Sequence, residues 1–182
     1  TLLPLYIFVS LYLYFTIGRP VIFKDNRAGK NGEPFVLFKF RTMSKKNSTD
    51  YSIEDDRKRV LKKTLFLRIS RLDEIPQLFN VLKGNISFVG PRPLLIEYNN
   101  LYSEKHKTRL SIKPGITGWS QINLDKIDSW KKKFDYDYWY VQNMSFFLDL
   151  KIISYTFIFL FKNLFNKKNI NSVFSEKFNG DN

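Results

Sequence analysis

Two long apolar segments lie near the ends of the chain. Residues 2–17 are uncharged and rich in Leu, Tyr and Phe, with Pro4 near their start. An apolar run with no polar face, followed by basic residues, is typical of membrane contact. For residues 1–18 we predict the C-terminal half of a re-entrant membrane helix that breaks near Pro4, its start missing because the chain begins at Thr1. The alternatives are the tail of a spanning helix and a buried core helix.

The second apolar segment covers residues 146–165, with charged side chains at its margins. This pattern predicts a helix that lies in the membrane interface. A basic tract at residues 57–63 carries five Lys and Arg side chains. It predicts a helical stretch suited to anionic lipid headgroups, or equally a solvated helical face.

The chain between these segments mixes short strands with helices. Residues 21–23 and 35–41 predict two strands of a hairpin around a glycine-bearing turn, and the polar residues 44–51 predict a loop. Apolar periodicity predicts two amphipathic helices, one within residues 70–84 and one from Ser129 through Tyr140. The predicted fold is therefore α/β and helix-rich, with residues 19–182 forming one compact domain that carries membrane-interface helices.

Two adjacent carboxylates, Asp73 and Glu74, open the first of these amphipathic helices. Ser70 stands three residues earlier and fits a capping box, so both acids are predicted in the first helical turn. There the helix dipole would keep Asp73 ionised as a nucleophile, and Glu74 could hold a divalent cation. The alternative is that the pair only caps the helix.

Charge and composition narrow the classes of partner. The net charge is +13, with 30 Lys and Arg against 17 Asp and Glu. This excess predicts an anionic partner, which could be nucleic acid, an anionic bilayer or a phosphorylated substrate. The absence of cysteine excludes disulfides and thiolate metal sites. The single histidine, His106, argues against a multi-histidine metal site or a Ser-His-Asp triad, and we predict a solvated surface residue.

Several basic side chains point instead to phosphate chemistry. Lys39 and Arg41 alternate with phenylalanines on a predicted strand, so both should face one side. Arg92 lies between two prolines that fix its backbone, which suits bidentate phosphate binding. Arg68 precedes Asp73 by five residues, and the glycine-bearing turn that starts at Lys113 could cradle an anion through its backbone N–H groups.

Four motifs give the chain a specific resemblance. It resembles the bacterial sugar transferases, the small monotopic phosphoglycosyl transferases that begin membrane-linked glycan assembly. The matching stretches, in order, are FKFRTM at 38–43, LDEIPQLFNVLKG at 72–84, SFVGPRP at 87–93 and KPGITGW at 113–119. The C-terminal residues 176–180 look most like the subgroup that transfers a diacetamido-bacillosamine phosphate in protein N-glycosylation.

The resemblance implies a two-step reaction at the cytoplasmic face of the bacterial inner membrane. A UDP-sugar would give its sugar phosphate to undecaprenyl phosphate and release UMP. Asp73 would match the family's nucleophile, which forms a covalent aspartyl phosphosugar, and Glu74 the residue that holds Mg2+. The bilayer is an expected partner, downstream glycosyltransferases are further expected partners, and nucleic acid is not expected.

The resemblance also implies a set of substrate contacts. The predicted phosphate and nucleotide contacts are Lys39, Arg41, Arg68, Arg92, Lys113 and Gln121. Asp137 and Tyr140 fit a family pattern of Asp followed three residues later by Tyr, and either could be purely structural. The family often has Gly-Arg where residues 124–126 here read Leu-Asp-Lys. Two other functions stay open: a catalytically inactive membrane scaffold for glycosyltransferases, and a basic nucleic-acid-binding domain.

Overall fold

The computed structural model describes residues 3–44, 59–165 and 178–180, with the backbone alone for 163–165. Helices predominate over short strands, as the sequence predicts. The α-helices are α1 (Leu3–Ile17), α2 (Leu65–Ile69), α3 (Gln77–Leu82), α4 (Glu104–Lys107), α5 (Trp119–Ile122), α6 (Trp130–Asn143) and α7 (Phe146–Phe165). The strands are β1 (Ile22–Ala28), β2 (Pro34–Phe40), β3 (Ser87–Val89) and β4 (Gly115–Thr117).

The single predicted domain divides into two compact units. The first contains Thr1–Lys24, Phe38–Pro76 and Leu160–Lys177, and the second contains Asp25–Leu37, Gln77–Phe159 and Phe178–Asn182. The β1–β2 hairpin, which the sequence predicts around the turn at 29–32, contributes residues to both units. The apolar helix α1 thus belongs to a unit that also holds Asp73 and Glu74.

The core of the first unit forms around one face of α1. Val9 and Leu13 on this helix are buried against Phe40 of β2 and Leu67 of α2. The ring of Tyr6 adds a tilted contact to Phe40, with 5.1 Å between the ring centroids. Because these contacts tie α1 to β2 and α2, they fix the segments that carry the basic and acidic residues of the candidate site.

The opposite face of α1 is apolar and exposed. Six side chains at helical spacing form it: Leu3, Ile7, Phe8, Leu11, Tyr14 and Phe15. No helix in the described part of the chain is long and apolar enough to cross a bilayer. In the described residues α1 covers Leu3–Ile17, and its helical conformation continues from Pro4 without interruption. The described residues therefore show no helix break after Pro4, and the re-entrant geometry of this membrane helix stays a prediction.

Residues 45–58, which contain most of the predicted polar loop and the start of the basic tract, lie outside the described residues. Where the description resumes, Val60 pairs with Met43 in an isolated antiparallel bridge. A 3-10 turn over Lys62–Thr64 then leads into α2. Arg59 is helical, as predicted, but the bridge at Val60 interrupts the predicted helical stretch before the 3-10 turn.

A parallel pair of strands organises the second unit. β3 and β4 pair with Ser87 opposite Gly115 and Val89 opposite Thr117. The backbones approach closely because glycines face each other: a Cβ on Gly115 would lie 2.1 Å from the backbone nitrogen of Gly90. This approach brings together the two motifs at 87–93 and 113–119, which the sequence analysis treated as separate turns.

We expect Gly115→Ala to lower the free energy of unfolding by about 3 kcal/mol or more, because its Cβ would overlap backbone that cannot move aside. Thermal unfolding of the purified chain measures this. Gly18→Ala is the control: Gly18 has a φ of +70° but nothing within 4 Å of an added Cβ. That substitution should cost only about 1 to 2 kcal/mol. Equal effects at the two glycines would contradict the close approach.

An aromatic cluster forms the main core of the second unit. Phe134 of α6 is fully buried and packs with Tyr98, Tyr102 and Phe178. Ser129 caps α6 by accepting a hydrogen bond from the backbone N–H of Lys132. The helix α7 has the predicted bounds and exposes a row of large apolar side chains: Phe146, Phe147, Leu150, Tyr155, Phe157, Ile158 and Phe161.

Candidate active site

The segment that carries the acidic pair is not one helix. α2 ends at Ile69, a 3-10 turn covers Leu72–Glu74, and α3 starts only at Gln77. Pro76 precedes α3, so its ring lies outside the helix interior. Ser70 closes α2, and its hydroxyl donates to the carbonyl oxygen of Phe66 at 2.7 Å. The predicted capping box is therefore wrong, and no first-turn helix dipole acts on the two acids.

Arg71 redirects the chain into the acidic turn. Its φ of 57° is in the left-handed region, which a non-glycine residue adopts only where the surrounding structure requires it. The turn buries both acids: Asp73 is 8% exposed and Glu74 is 7% exposed. Sequence reasoning missed Arg71, although its position three residues before Glu74 is the spacing of a short-range ion pair.

Asp73 is electrostatically unusual. Its Oδ1 atom is buried and accepts no hydrogen bond from any residue that the structure describes. Burial, and then the neighbouring charge of Glu74, raise the pKa of Asp73, while Lys39, Arg68 and Arg71 lower it, and the resulting pKa is about 6. A buried oxygen without a partner and with a raised pKa is typical of a functional carboxylate.

The raised pKa of Asp73 predicts a pH-dependent stability difference. A carboxyl group whose pKa is higher in the folded state stabilises the fold below pH 3.8, and this contribution is lost as pH rises through about 6. Asparagine does not titrate. In metal-free buffer, Asp73→Asn should therefore gain stability over the wild type between pH 4 and pH 6, reaching about 3 kcal/mol above pH 6. Denaturant unfolding at pH 4, 5, 6 and 7.5 measures this difference, and a pH-independent difference would contradict the assignment.

Glu74 links the acidic turn to two cations. Its Oε1 accepts from Lys39 Nζ at 3.0 Å and from Arg71 Nη1 at 3.4 Å. Arg68 donates to the hydroxyl of Thr42 at 3.3 Å, and its charge acts on Asp73. The structure thus brings four predicted site residues together in the first unit: Lys39, Arg68, Asp73 and Glu74.

Arg41 makes its hydrogen bonds away from this group. Its Nη2 donates to the carbonyl oxygens of Ile17 at 2.6 Å and Gly18 at 2.9 Å. These are carbonyls at the end of α1, where a cation is favoured. The contacts give Arg41 a structural role, and they separate it from Lys39, with which the strand alternation had grouped it.

The acidic turn fits a magnesium ion that is bound together with phosphate. Mg2+ commonly takes one or two protein carboxylates and completes its shell with water and substrate phosphate oxygens. Glu74 would be the protein carboxylate for such an ion, and it lies next to Asp73 in the same 3-10 turn. Within the described residues no group of three or more Asp, Glu, His or Cys could hold a metal alone. A magnesium site here would therefore depend on the phosphate ligand.

The other predicted contacts lie in the second unit. Arg92 follows the β3 strand, and its carbonyl oxygen accepts from Arg109 Nη2 at 2.7 Å. Lys113 precedes β4, and Gln121 on α5 donates to the carbonyl oxygen of Ile116 at 3.3 Å. A hydrogen bond from the backbone N–H of Gly115 to the carbonyl oxygen of Pro91, at 2.9 Å, brings the residue before Arg92 close to the turn that starts at Lys113.

Asp137 and Tyr140 are buried rather than facing solvent. Asp137 accepts from Arg109 at 3.1 Å and from the hydroxyl of Ser120 at 2.7 Å. Tyr140 donates to Asp149 at 2.6 Å, and burial raises the pKa of its phenol. These contacts favour a purely structural role for Asp137 and Tyr140, which the sequence analysis left open beside a role in substrate binding. Arg109, which is 3% exposed, carried no sequence signal because it lies in a polar stretch.

His106 differs from its prediction as a solvated residue. Its side chain is only 13% exposed, and its Nε2 lies 3.2 Å from Asp135 Oδ1. The ring also packs at 5.5 Å from that of Phe134. The surroundings of His106 are therefore partly apolar, and its carboxylate partner comes from α6.

Comparison with known proteins decides the family. The model of the bacterial sugar transferase family matches residues 1–163. The chain belongs to the bacterial sugar transferase family. The family predicted from the four motifs is thereby confirmed, and all of those motifs lie inside the matched range.

Named relatives of this sugar transferase vary in their donor sugar. The chain is 53% identical to an uncharacterized sugar transferase, EpsL, of Bacillus subtilis, over 77% of the chain and 69% of that protein. It is 38% identical to a UDP-glucose:undecaprenyl-phosphate glucose-1-phosphate transferase of Klebsiella pneumoniae over 90% of the chain. A UDP-N-acetylgalactosamine-undecaprenyl-phosphate N-acetylgalactosaminephosphotransferase of Aeromonas hydrophila is 32% identical over 82% of the chain. The chain spans only 37% of the length of each of the last two proteins.

The donor sugar of this sugar transferase stays a prediction. The bacillosamine subgroup was inferred from residues 176–180, of which the structure describes 178–180. Residues 124–126 read Leu-Asp-Lys where the family often has Gly-Arg. They form a 3-10 turn, Leu124–Lys126, and Lys126 donates to the side chain of Asn123 at 3.2 Å. No described contact gives this turn a role in sugar recognition.

Proposed function

We propose that this sugar transferase moves a sugar 1-phosphate from a UDP-sugar to undecaprenyl phosphate, releases UMP, and works through a covalent aspartyl phosphosugar. The observation that carries the proposal is the buried, unpartnered Oδ1 of Asp73 beside the Glu74–Lys39 ion pair. Membership of the family and the names of the relatives support the donor and acceptor classes. The reaction is the first membrane step of glycan assembly.

In the first step, Asp73 Oδ1 attacks the phosphorus that bears the sugar. The new bond joins the carboxylate oxygen to phosphorus, and the bond to the UMP phosphate breaks. With a pKa of about 6, Asp73 is mostly ionised at neutral pH and needs no separate base. In the second step a phosphate oxygen of undecaprenyl phosphate attacks the same phosphorus and frees the carboxylate of Asp73.

Basic side chains offset the charge that develops on the leaving UMP. The charges of Lys39 and Arg68 act on Asp73 in the first unit, which supports the proposal that both interact with phosphate oxygens bound there. Glu74 holds Lys39 at 3.0 Å and so orients its ammonium group. A Mg2+ ion bound by Glu74 and phosphate would supply further neutralisation of the leaving phosphate. Arg92, Lys113 and Gln121 are the proposed nucleotide contacts.

The exposed apolar faces support a membrane location. α1 presents six exposed apolar side chains, and α7 presents seven. A contiguous apolar face that is exposed to water is unfavourable, and insertion into lipid removes the face from water. We propose a monotopic attachment to the cytoplasmic face of the bacterial inner membrane, where a lipid-linked phosphate is available to the protein.

A panel of UDP-sugars tests the proposal. The protein, held in detergent or nanodiscs, is given each donor with and without Mg2+ and undecaprenyl phosphate, and released UMP is measured. We expect UMP from one or a few donors, with loss of release after chelation of the metal. Folded protein that turns over no donor would overturn the enzymatic proposal and favour a membrane scaffold.

A further inference from the structure

Arg71 belongs to the acidic turn, and the proposed reaction gives it no role. It is the first residue after Ser70, the C-cap of α2, and its φ of 57° and ψ of 17° are left-handed. Its backbone N–H donates to the carbonyl oxygen of Arg68 at 3.3 Å, and its own carbonyl oxygen accepts from the N–H of Glu74 at 3.0 Å. The turn therefore needs a left-handed backbone at this position, whichever side chain the residue carries.

This backbone requirement does not explain why the residue is an arginine. Glycine is the usual residue at the left-handed position after a helix, because it has no Cβ to clash there. Asn31 has the same φ of 57°, but asparagine tolerates this region through local hydrogen bonds of its side chain. Arg71 has no such compensation, so the conformation is less favourable for it than for glycine. Strain of this kind is typical of residues whose side chain serves a functional site.

The ion pair with Glu74 does not explain the arginine either. Arg71 Nη1 lies 3.4 Å from Glu74 Oε1, and the side chain of Arg71 is 38% exposed, so solvent screens the pair. Lys39 pairs with the same oxygen at 3.0 Å and is 20% exposed, which makes it the stronger partner of Glu74. Among the residues that the structure describes, the side chain of Arg71 makes no other hydrogen bond or ion pair. Most of its N–H groups can therefore donate to a ligand.

The guanidinium of Arg71 lies close to the reacting carboxylate. It pairs with Glu74, the residue next to Asp73 in the same turn, and its charge acts on Asp73 itself. All three residues belong to the first unit. Asp73 Oδ1 is the buried, unpartnered atom that bonds to phosphorus in the proposed reaction, so a cation that acts on this carboxylate also acts on the phosphoryl group attached to it. A guanidinium suits such a group, since its planar donors pair with two phosphate oxygens at once.

We propose that the guanidinium of Arg71 binds the oxygens of the phosphoryl group that Asp73 receives and passes on, and that the left-handed backbone places the side chain there. The inference rests on the proposed function for the chemistry of this ligand. Both steps of that reaction occur at the same phosphorus, so a residue on its oxygens assists UMP release and transfer to undecaprenyl phosphate alike. A contact with the leaving UMP would assist only the first step, and a contact with the lipid phosphate only the second.

Separate measurement of the two half-reactions tests the proposal. Intact-mass analysis follows formation of the sugar-phosphate adduct from the UDP-sugar, and then loss of the adduct when undecaprenyl phosphate is added. We expect Arg71→Gly to slow both steps roughly 100-fold, because preorganised donors to the phosphoryl oxygens are lost. Arg71→Lys keeps the charge without the planar set of donors, so its rates should lie between those of Arg71→Gly and the parent protein.

Lys24→Met is the control for loss of a cation from the first unit. Lys24 is exposed to solvent at the end of that unit's first segment. Because exposed charges are screened, both rates in Lys24→Met should stay within about twofold of the parent. A loss in Lys24→Met as large as that in Arg71→Gly would show a general effect of net charge and would overturn the specific role of Arg71.

Stability and chemical rescue give readouts that a purely structural role would not produce. Glycine adopts the left-handed backbone without strain, so the thermal midpoint of Arg71→Gly should equal or exceed that of the parent. Added methylguanidinium should raise both rates in Arg71→Gly, since it supplies the missing donors, and should leave those of the parent unchanged. A lowered midpoint together with no rescue would assign Arg71 to the fold and overturn the proposal.

The pattern of rates separates the possible sources of phosphate. Slower adduct formation alone would assign Arg71 to the leaving UMP, and slower adduct loss alone would assign it to the lipid phosphate. Either result would overturn the contact with the transferred group. Parent rates in both steps of Arg71→Gly would overturn any role of Arg71 while leaving the Asp73 reaction intact. A parent protein that forms no adduct with any donor would instead contradict the proposed function.

Discussion

Asp73→Asn should lower UMP release from the UDP-sugar by at least about 10^4-fold. The amide oxygen of asparagine carries no charge and cannot form the acyl phosphate with the sugar-bearing phosphorus. The reaction then loses its covalent route. Initial rates of UMP release at saturating donor and acceptor measure the effect.

Two controls separate this loss from misfolding. Asp128→Asn changes an exposed carboxylate paired with Lys132, and it should leave the rate within about twofold. Asp73→Asn itself should be more stable than the wild type at pH 7.5 in metal-free buffer, because burial of the Asp73 carboxylate disfavours its charged form. An inactive variant with a raised unfolding temperature is therefore the expected combination. Substantial turnover by folded Asp73→Asn would contradict the role of Asp73.

Arg109→Met should destabilise the fold by about 3 to 5 kcal/mol. Arg109 and Asp137 are 2% and 1% exposed at their side chains and lie 3.1 Å apart. The substitution leaves the carboxylate of Asp137 buried without its cation, and it removes the donor to the carbonyl oxygen of Arg92. A shift of the thermal midpoint on the order of 10 °C should result for a chain of this size.

Lys107→Met is the matched control for Arg109→Met, because it breaks an exposed ion pair. Lys107 and Glu104 pair on the surface of α4, with side chains 47% and 89% exposed. Lys107→Met should change the free energy of unfolding by less than about 1 kcal/mol, since solvent screens such pairs. If Arg109→Met were no more destabilising than Lys107→Met, the buried pair would not be the anchor that we describe.

The sequence predicted the elements whose patterns are local. The apolar runs at both ends are helices, the hairpin forms around its glycine turn, and the helix predicted from Ser129 forms as α6. Each of these follows from periodicity, turn chemistry or a capping side chain within a few residues. The acidic pair was predicted as the centre of the site, and the structure buries both acids beside Lys39.

What the sequence missed depends on contacts between distant residues. The periodicity over residues 70–84 predicted one helix, because a left-handed residue at Arg71 and the turn before Pro76 leave the apolar spacing nearly unchanged. The parallel pairing of β3 with β4 joins segments that are separated by 25 residues, and no local pattern records it. Arg41 and Arg109 could not be given their structural roles, because their partners come from other elements.

Intact-mass analysis of the protein after exposure to the UDP-sugar alone tests the central claim most directly. The protein should gain the mass of one sugar phosphate, release an equal amount of UMP, and lose the adduct when undecaprenyl phosphate is added. Asp73→Asn should gain no mass. If UMP appears only when undecaprenyl phosphate is present, and no adduct forms at any donor concentration, the covalent mechanism at Asp73 is contradicted.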